Sequence, residues 1–253
     1  MRKRIIVINL GGLWSRVVST FAVIVIIVTL IVSFVCVSTL SDAYISTSND
    51  PKGCERIIII DPGHGGEDSG AVGVNGRLEK DLNLEIAMTL GQILRDEGYT
   101  VVFTRTTDRM LYSDDQNIKG MRKLSDLKNR CGIADEYPNA LFISVHMNTF
   151  GASKYSGLQV YYSDNNAESK MLADKIQMTV KDRIQPENNR GTKNGKSLYI
   201  LDNCRVTTVL VECGFLSNAE EAEKLSQKEY QNQLSFAIGC GIIEYIKGLN
   251  EAG

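Results

Sequence analysis

The chain has 253 residues, 43% hydrophobic and 23% charged, which is the composition of an ordinary folded protein with length for one sizeable core and excludes disorder as the default. Its net charge is −2, but four basic residues (Arg2, Lys3, Arg4 and Arg16) precede the first acidic residue, Asp42, so the remainder alone carries −6. An acidic body of this kind excludes nucleic acid as a partner, because such binding needs a basic surface to displace counterions.

Between Arg16 and Asp42 runs VVSTFAVIVIIVTLIVSFVCVSTLS, uncharged, mostly apolar and longer than the roughly 20 residues that cross a bilayer. Residues 1–41 are therefore expected to form a basic segment followed by a transmembrane or signal segment. Basic residues before the run, with none directly after it, orient the N-terminus inside and the rest of the chain outside the cytoplasm. Ser41-Asp42-Ala43 also reads small-x-small, so cleavage after Ala43 is the alternative to a retained anchor. Cys36 follows Ser33-Phe34-Val35 and lacks the small preceding residue that a lipidation site wants. Residues 42–55, SDAYISTSNDPKGC, have no apolar period and are rich in turn formers, which marks a linker and starts the domain at 56–253.

From Arg56 onward, β-like apolar runs alternate with amphipathic stretches. RIIIID leads to EKDLNLEIAMTLGQILRDEG, then YTVVFT, a helix-like LSDLKNRCGIADEY, and ALFISVH. GLQVYYS, a helix near 166–183, LYIL, TTVLVEC and a last helix from Lys228 to Lys247 follow. This alternation predicts an α/β fold, one sheet with helices on both faces. Five cysteines lie after the apolar run (Cys54, Cys131, Cys204, Cys213 and Cys240) with no Cys-x-x-Cys spacing. An odd count without paired spacing argues against a disulfide scaffold and for small buried apolar residues, although an oxidising compartment leaves room for one pair.

Three of the apolar runs end in ionisable residues: IIIID in Asp61 and His64, LFISV in His146, and VLV in Glu212. Ligands of open α/β sheets gather beyond the carboxyl ends of strands, so these residues are aimed at one crevice. Asp61-Pro62-Gly63-His64-Gly65-Gly66 is a stiff corner able to hold an imidazole at a fixed angle. It is a poor phosphate cradle, since it has no Lys-Ser/Thr ending and Glu67 and Asp68 would repel an anion. Glu79 opens a helical period; alone, it reads as a favourable charge at the positive end of a helix. Taken with two strand-end histidines it completes a His2Glu set, which leaves Zn2+ an open fourth position. Glu212 is costly to bury and must either pair with an arginine, such as Arg190 or Arg105, or face the crevice as a general base.

IIIIDPGHGG, RLEKDLNLEIA, FTRTTD, ISVHMN and VLVECGFLSN, in this order, resemble the zinc-dependent N-acetylmuramoyl-L-alanine amidases of bacterial peptidoglycan over residues 56 to 248. The resemblance implies a mixed six-stranded sheet, zinc on His64, Glu79 and His146, and Glu212 as the catalytic glutamate. The scissile bond is then the amide joining the lactyl group of N-acetylmuramic acid to the L-alanine of the stem peptide. Many relatives carry Ala-Asn-Ala after the second histidine; here His146-Met147-Asn148-Thr149 keeps the asparagine, and Asn148 is expected to contact substrate. Asp61 is expected to orient a metal ligand or to cap a turn.

A short leader followed by a bare catalytic domain, together with IKGMRKLSDLKNRCGIAD, resembles the spore-cortex type of this family. That type strips stem peptides so that muramic acid can cyclise to the δ-lactam, which puts the site of action in the space around the forespore. The alternatives are a general autolysin of cell separation, a catalytically silent peptidoglycan-binding regulator, and a metallocarboxypeptidase cutting within the stem peptide. Whether zinc is held unaided or with an accessory protein is left open by the residues.

Overall fold

The computed structural model describes Thr29, residues 56–118 and residues 120–252. The leader, all of its apolar run except Thr29 (Cys36 included), and the linker with Cys54 lie outside the described residues. Among the described residues, no helix is long and apolar enough to cross a membrane.

Four isoleucines open the domain, and their alternation sets its layers. Strand β1 (Ile58–Pro62) sends Ile58 and Ile60 to one face and Ile59 to the other, all fully buried. A strand buried on both sides must read as a continuous apolar run, as this one does. On the first face lie three helices: α1 (Glu79–Asp96), α3 (Ala167–Ile184) and α6 (Lys228–Ala252). The opposite face is covered by α2 (Arg122–Asp135) and the short α4 (Tyr199–Asn203). The helix periodicity explains the burial: Leu82, Ile86, Leu90 and Leu94 of α1 recur every fourth residue and are wholly enclosed.

The sheet has six strands in the order β2-β1-β3-β6-β4-β5, adding β2 (Val101–Phe103), β3 (Leu141–Asn148), β4 (Gln159–Tyr162), β5 (Lys193–Asn194) and β6 (Thr207–Phe215). The first four in that order run parallel, and β4 is antiparallel to β6, so the sheet is mixed. One expectation needs correction. LYIL is not a strand: residues 199–203 form α4, which turns Ile200 into the core, and the backbone N–H of Ser197 is held by Asp202 at 2.9 Å. The sixth strand is Lys193–Asn194, too short to show any apolar period. The helix α5 (Ala219–Ser226) was also not foreseen.

Asn218 caps α5, its side-chain oxygen accepting from the backbone N–H groups of Glu220 (3.0 Å) and Glu221 (3.2 Å). Asn218→Ala should therefore lower stability by about 1 kcal/mol in chemical denaturation, the usual cost of a lost cap. Three of the cysteines, Cys131, Cys204 and Cys213, are buried, as small apolar residues would be. The sulfurs of Cys131 and Cys204 face each other at 2.6 Å between α2 and the end of α4.

Candidate metal centre and active site

The parallel strands end together, and their last residues define the site. In register, His146 of β3 lies beside Glu212 of β6, and Gln159 of β4 lies on the other side of Glu212. Paired residues on neighbouring strands share a face, so the three form one cross-strand row. Beyond His146 the register shifts: Asn148 pairs with Phe215, leaving an extra residue on β6. Such a bulge re-aims the side chains that follow it.

His64 reaches this row from the loop after β1. Its φ of 60° is a left-handed conformation that few side-chain-bearing residues adopt. The glycines around it permit close contact: a Cβ on Gly63 would stand 2.2 Å from His146 Nε2, and one on Gly70, which also has a φ of 64°, 2.5 Å from Glu79 Oε2. Glu79 enters from the first turn of α1 and is 4% exposed. Its Oε1 lies 2.9 Å from His146 Nδ1 and 3.1 Å from His64 Nε2, and it also accepts from the Met147 N–H at 3.1 Å. Glu79 Oε2 accepts from the Ala71 N–H at 2.8 Å. One ligand atom from each of His64, Glu79 and His146 lies within 4.8 Å of the others, and the two imidazoles meet edge to face at 4.9 Å.

The electrostatics follow from this crowding. Burial works against ionising Glu79, but the His146 and His64 rings beside it hold its pKa well below the usual carboxylate range. Burial likewise opposes charge on His64, yet Asp68 and Glu79 outweigh it and raise the pKa to about 9. The Asp68 carboxylate is 2.9 Å from His64 Nδ1, in ion-pair range but outside hydrogen-bond geometry. Glu212 differs in kind. Burial pushes its pKa up to about 7, with the imidazoles pulling down and Glu79 pushing up. Its Oε2 is buried without a hydrogen-bond partner, and among the described residues neither Arg190 nor Arg105 forms an ion pair with it. The arginine-paired alternative for Glu212 is therefore not what the fold builds.

A sequence profile described as N-acetylmuramoyl-L-alanine amidase matches residues 58–244. The chain belongs to this amidase family. It is similar to the germination-specific N-acetylmuramoyl-L-alanine amidase of Bacillus subtilis, 35% identical over 190 residues that cover 75% of this chain and 79% of that one. Among solved structures it resembles the CwlD amidase of Clostridioides difficile, determined in complex with the GerS lipoprotein, at 36% identity and a TM-score of 0.73, covering 76% of this chain and 98% of that one. It also resembles the amidase AmiC2 of Nostoc punctiforme, at 34% identity and a TM-score of 0.66, with 76% and 98% covered. The chain is thus an enzyme, a peptidoglycan amidase.

In this amidase, Asp61 acts on His64 only indirectly, through Arg130. Its carboxylate accepts from Thr104 Oγ1, Ser144 Oγ and Arg130 Nη1, each at 2.6 Å, and among the described residues it contacts neither imidazole. Burial alone would raise its pKa; Arg130 and the two hydroxyls lower it. Arg130, wholly buried, also donates to the carbonyl oxygens of Pro62 (2.8 Å) and His64 (2.7 Å). Arg105, of the FTRTTD motif, donates to the carbonyls of Pro62, Gly63 and Lys80 at 2.8–3.0 Å. Two buried arginines thus fix the backbone that carries His64. Sequence reasoning considered Arg105 only as a partner for Glu212 and did not single out Arg130; the available signal was a pair of arginines lying within otherwise helix-like or strand-end motifs. From α2, Arg122 pairs with Glu67 and Lys123 with Asp68, tying the outer part of the loop down.

Proposed function

We propose that this amidase works through a zinc ion held by His64, Glu79 and His146 and cleaves the amide between N-acetylmuramic acid and the L-alanine of stem peptides. The observation that carries this reading is the meeting of three donor atoms beside an unpartnered carboxylate. Two imidazole nitrogens and one carboxylate oxygen suit a borderline ion such as zinc and leave it a coordination position open. Gly63 and Gly70 keep clear the space that side chains would fill. Zinc, when bound, supplies Lewis acidity toward the scissile carbonyl and toward water. Glu212 takes the proton of the attacking water and returns it to the leaving nitrogen of L-alanine. The Glu79 hydrogen bonds to the Ala71 and Met147 N–H groups hold one oxygen toward the imidazoles. Asn148, two residues beyond His146 on the same face of β3, contacts the substrate.

Residues 56–253 serve as the catalytic domain, and residues 17–41 anchor or export it so that it meets peptidoglycan outside the cytoplasmic membrane. The relative solved with a lipoprotein supports a protein partner in that compartment. Similarity to the germination-specific amidase favours a role in spore cortex, where freed muramic acid becomes the δ-lactam. Deleting the gene in a spore-forming host should leave cortex muramic acid carrying peptide and remove the δ-lactam, as read by mass spectrometry of muropeptides. Normal δ-lactam in the deletion strain would overturn the cortex role and favour a general wall function.

A further inference from the structure

Two clefts flank the histidines, and they differ in chemistry. One, of about 170 Å3, has apolar walls from Leu127, Ile200 and Leu210, and its two cations, Lys123 and Arg130, are both paired with carboxylates. The other, of about 330 Å3, begins at Asn148 and is bounded by Gln159, Tyr161, Arg190 and Lys193, with aromatic walls. In this second cleft polar groups are left without protein partners. Gln159 is 3% exposed; its amide N–H donates to the Gly191 carbonyl at 2.7 Å, while its Oε1 is buried with no donor. The Arg190 guanidinium lies 4.6 Å above the Phe215 ring, and its Nε is buried with no acceptor.

Among the described residues, neither Arg190 nor Lys193 has a carboxylate within ion-pair distance. Glu221, which feels the charge of Arg190, has its two oxygens engaged by the N–H groups of Gly157 and Phe215, each at 2.8 Å. Buried polar atoms are rarely left unmatched, and an acceptor and a donor unmatched in one cleft describe the ligand they await. That ligand carries an N–H group and a negative charge. Phe150 and Tyr155, 58% and 36% exposed and in edge-to-face contact at 5.0 Å, give such a ligand an apolar wall.

We propose that this cleft seats an acidic peptide in extended form, its carboxylate held by Arg190 and Lys193 and a backbone N–H donated to Gln159 Oε1. The proposal rests on the amidase reading of the adjoining centre and adds which side of the scissile bond the cleft holds: the peptide leaves from the Asn148 side. Arg190 and Lys193 are then specificity residues that require a free carboxylate on the stem, and the lactyl sugar lies toward the histidines.

The test compares N-acetylmuramoyl-L-alanyl-D-glutamic acid with its diamide on the zinc-loaded full-length protein. The acid should show a KM about tenfold below that of the diamide, the scale of one charge-assisted hydrogen bond. Arg190→Gln and Lys193→Gln should each reduce that preference severalfold while moving the diamide KM less than about twofold. Lys193 is exposed, so its variant keeps the test valid if loss of the Arg190–Phe215 stacking disturbs folding. Equal KM values for acid and diamide in the parent protein, or variants that raise both alike, would overturn the proposal and leave the amidase activity standing. If the parent cleaves neither compound, the amidase reading fails, and calorimetric titration still decides the cleft. Tighter binding of the acid, weakened in both variants, supports it; equal or absent binding overturns it.

Discussion

Glu212→Gln should keep its zinc and lose turnover by about 100-fold or more, the scale of a lost general base. The amide preserves the size and shape of the side chain but has no lone pair basic enough to take a proton at neutral pH. The parent carboxylate is well placed for that step. It stands in register beside His146, its Oε2 has no protein donor, and burial has brought its pKa up to about 7, where a base is both available and effective. Elemental analysis alongside product release would check the expectation; near-normal cleavage by the variant would require another base.

The same variant should change stability in a direction set by linkage. In metal-free protein the folded pKa of Glu212, about 7, lies above its ordinary 4.5. The folded state therefore holds more protons between those values, and stability falls as pH rises through that window. Glutamine removes the penalty. After chelation, Glu212→Gln should be more stable than the parent at about pH 8 by on the order of 2–4 kcal/mol, and no more stable at about pH 4.

What was legible in the sequence follows the range of the interactions. β1 and β3 could be read because both their faces are buried, so every residue of the run carries the signal. The strand-end histidines and Glu212 could be read because a strand of known direction fixes where its last residues go. LYIL could not: four apolar residues fit a strand or one helical turn equally, and only the packing of Ile200 against Cys131, Ala134 and Phe142 decides. β5 is two residues long and pairs with Tyr161 and Tyr162, which no local pattern announces. The Asp61–Arg130 bond joins residues 69 positions apart and is wholly buried, so neither partner shows its role in its own neighbourhood. Asp61 is visible as an unusual strand-end charge, but its route to His64 runs through Arg130, which its own neighbourhood does not show.

His64→Ala and His146→Ala should each abolish stoichiometric zinc binding. Three donors within 4.8 Å of one another form the cluster, and removing either imidazole leaves one nitrogen and one carboxylate, too few for a closed protein contribution to a zinc site. Full zinc occupancy in both variants, measured by elemental analysis after removal of free metal, would sink the assignment. Glu79→Gln should lower metal content and activity together, which separates it from Glu212→Gln. Its amide would also bring N–H groups against either the Ala71 N–H or the Met147 N–H, which the carboxylate now accepts. The pH dependence gives an independent check. The ligand form of His64 is neutral, but in metal-free protein Asp68 and Glu79 keep the ring protonated up to about 9. Metal uptake must displace that proton, so apparent zinc affinity should climb by about tenfold per pH unit toward pH 9 and then level. Asp68→Asn withdraws one of the two carboxylates that raise the His64 pKa, so the levelling point should move to lower pH in that variant. An unchanged levelling point would show that another group carries the displaced proton.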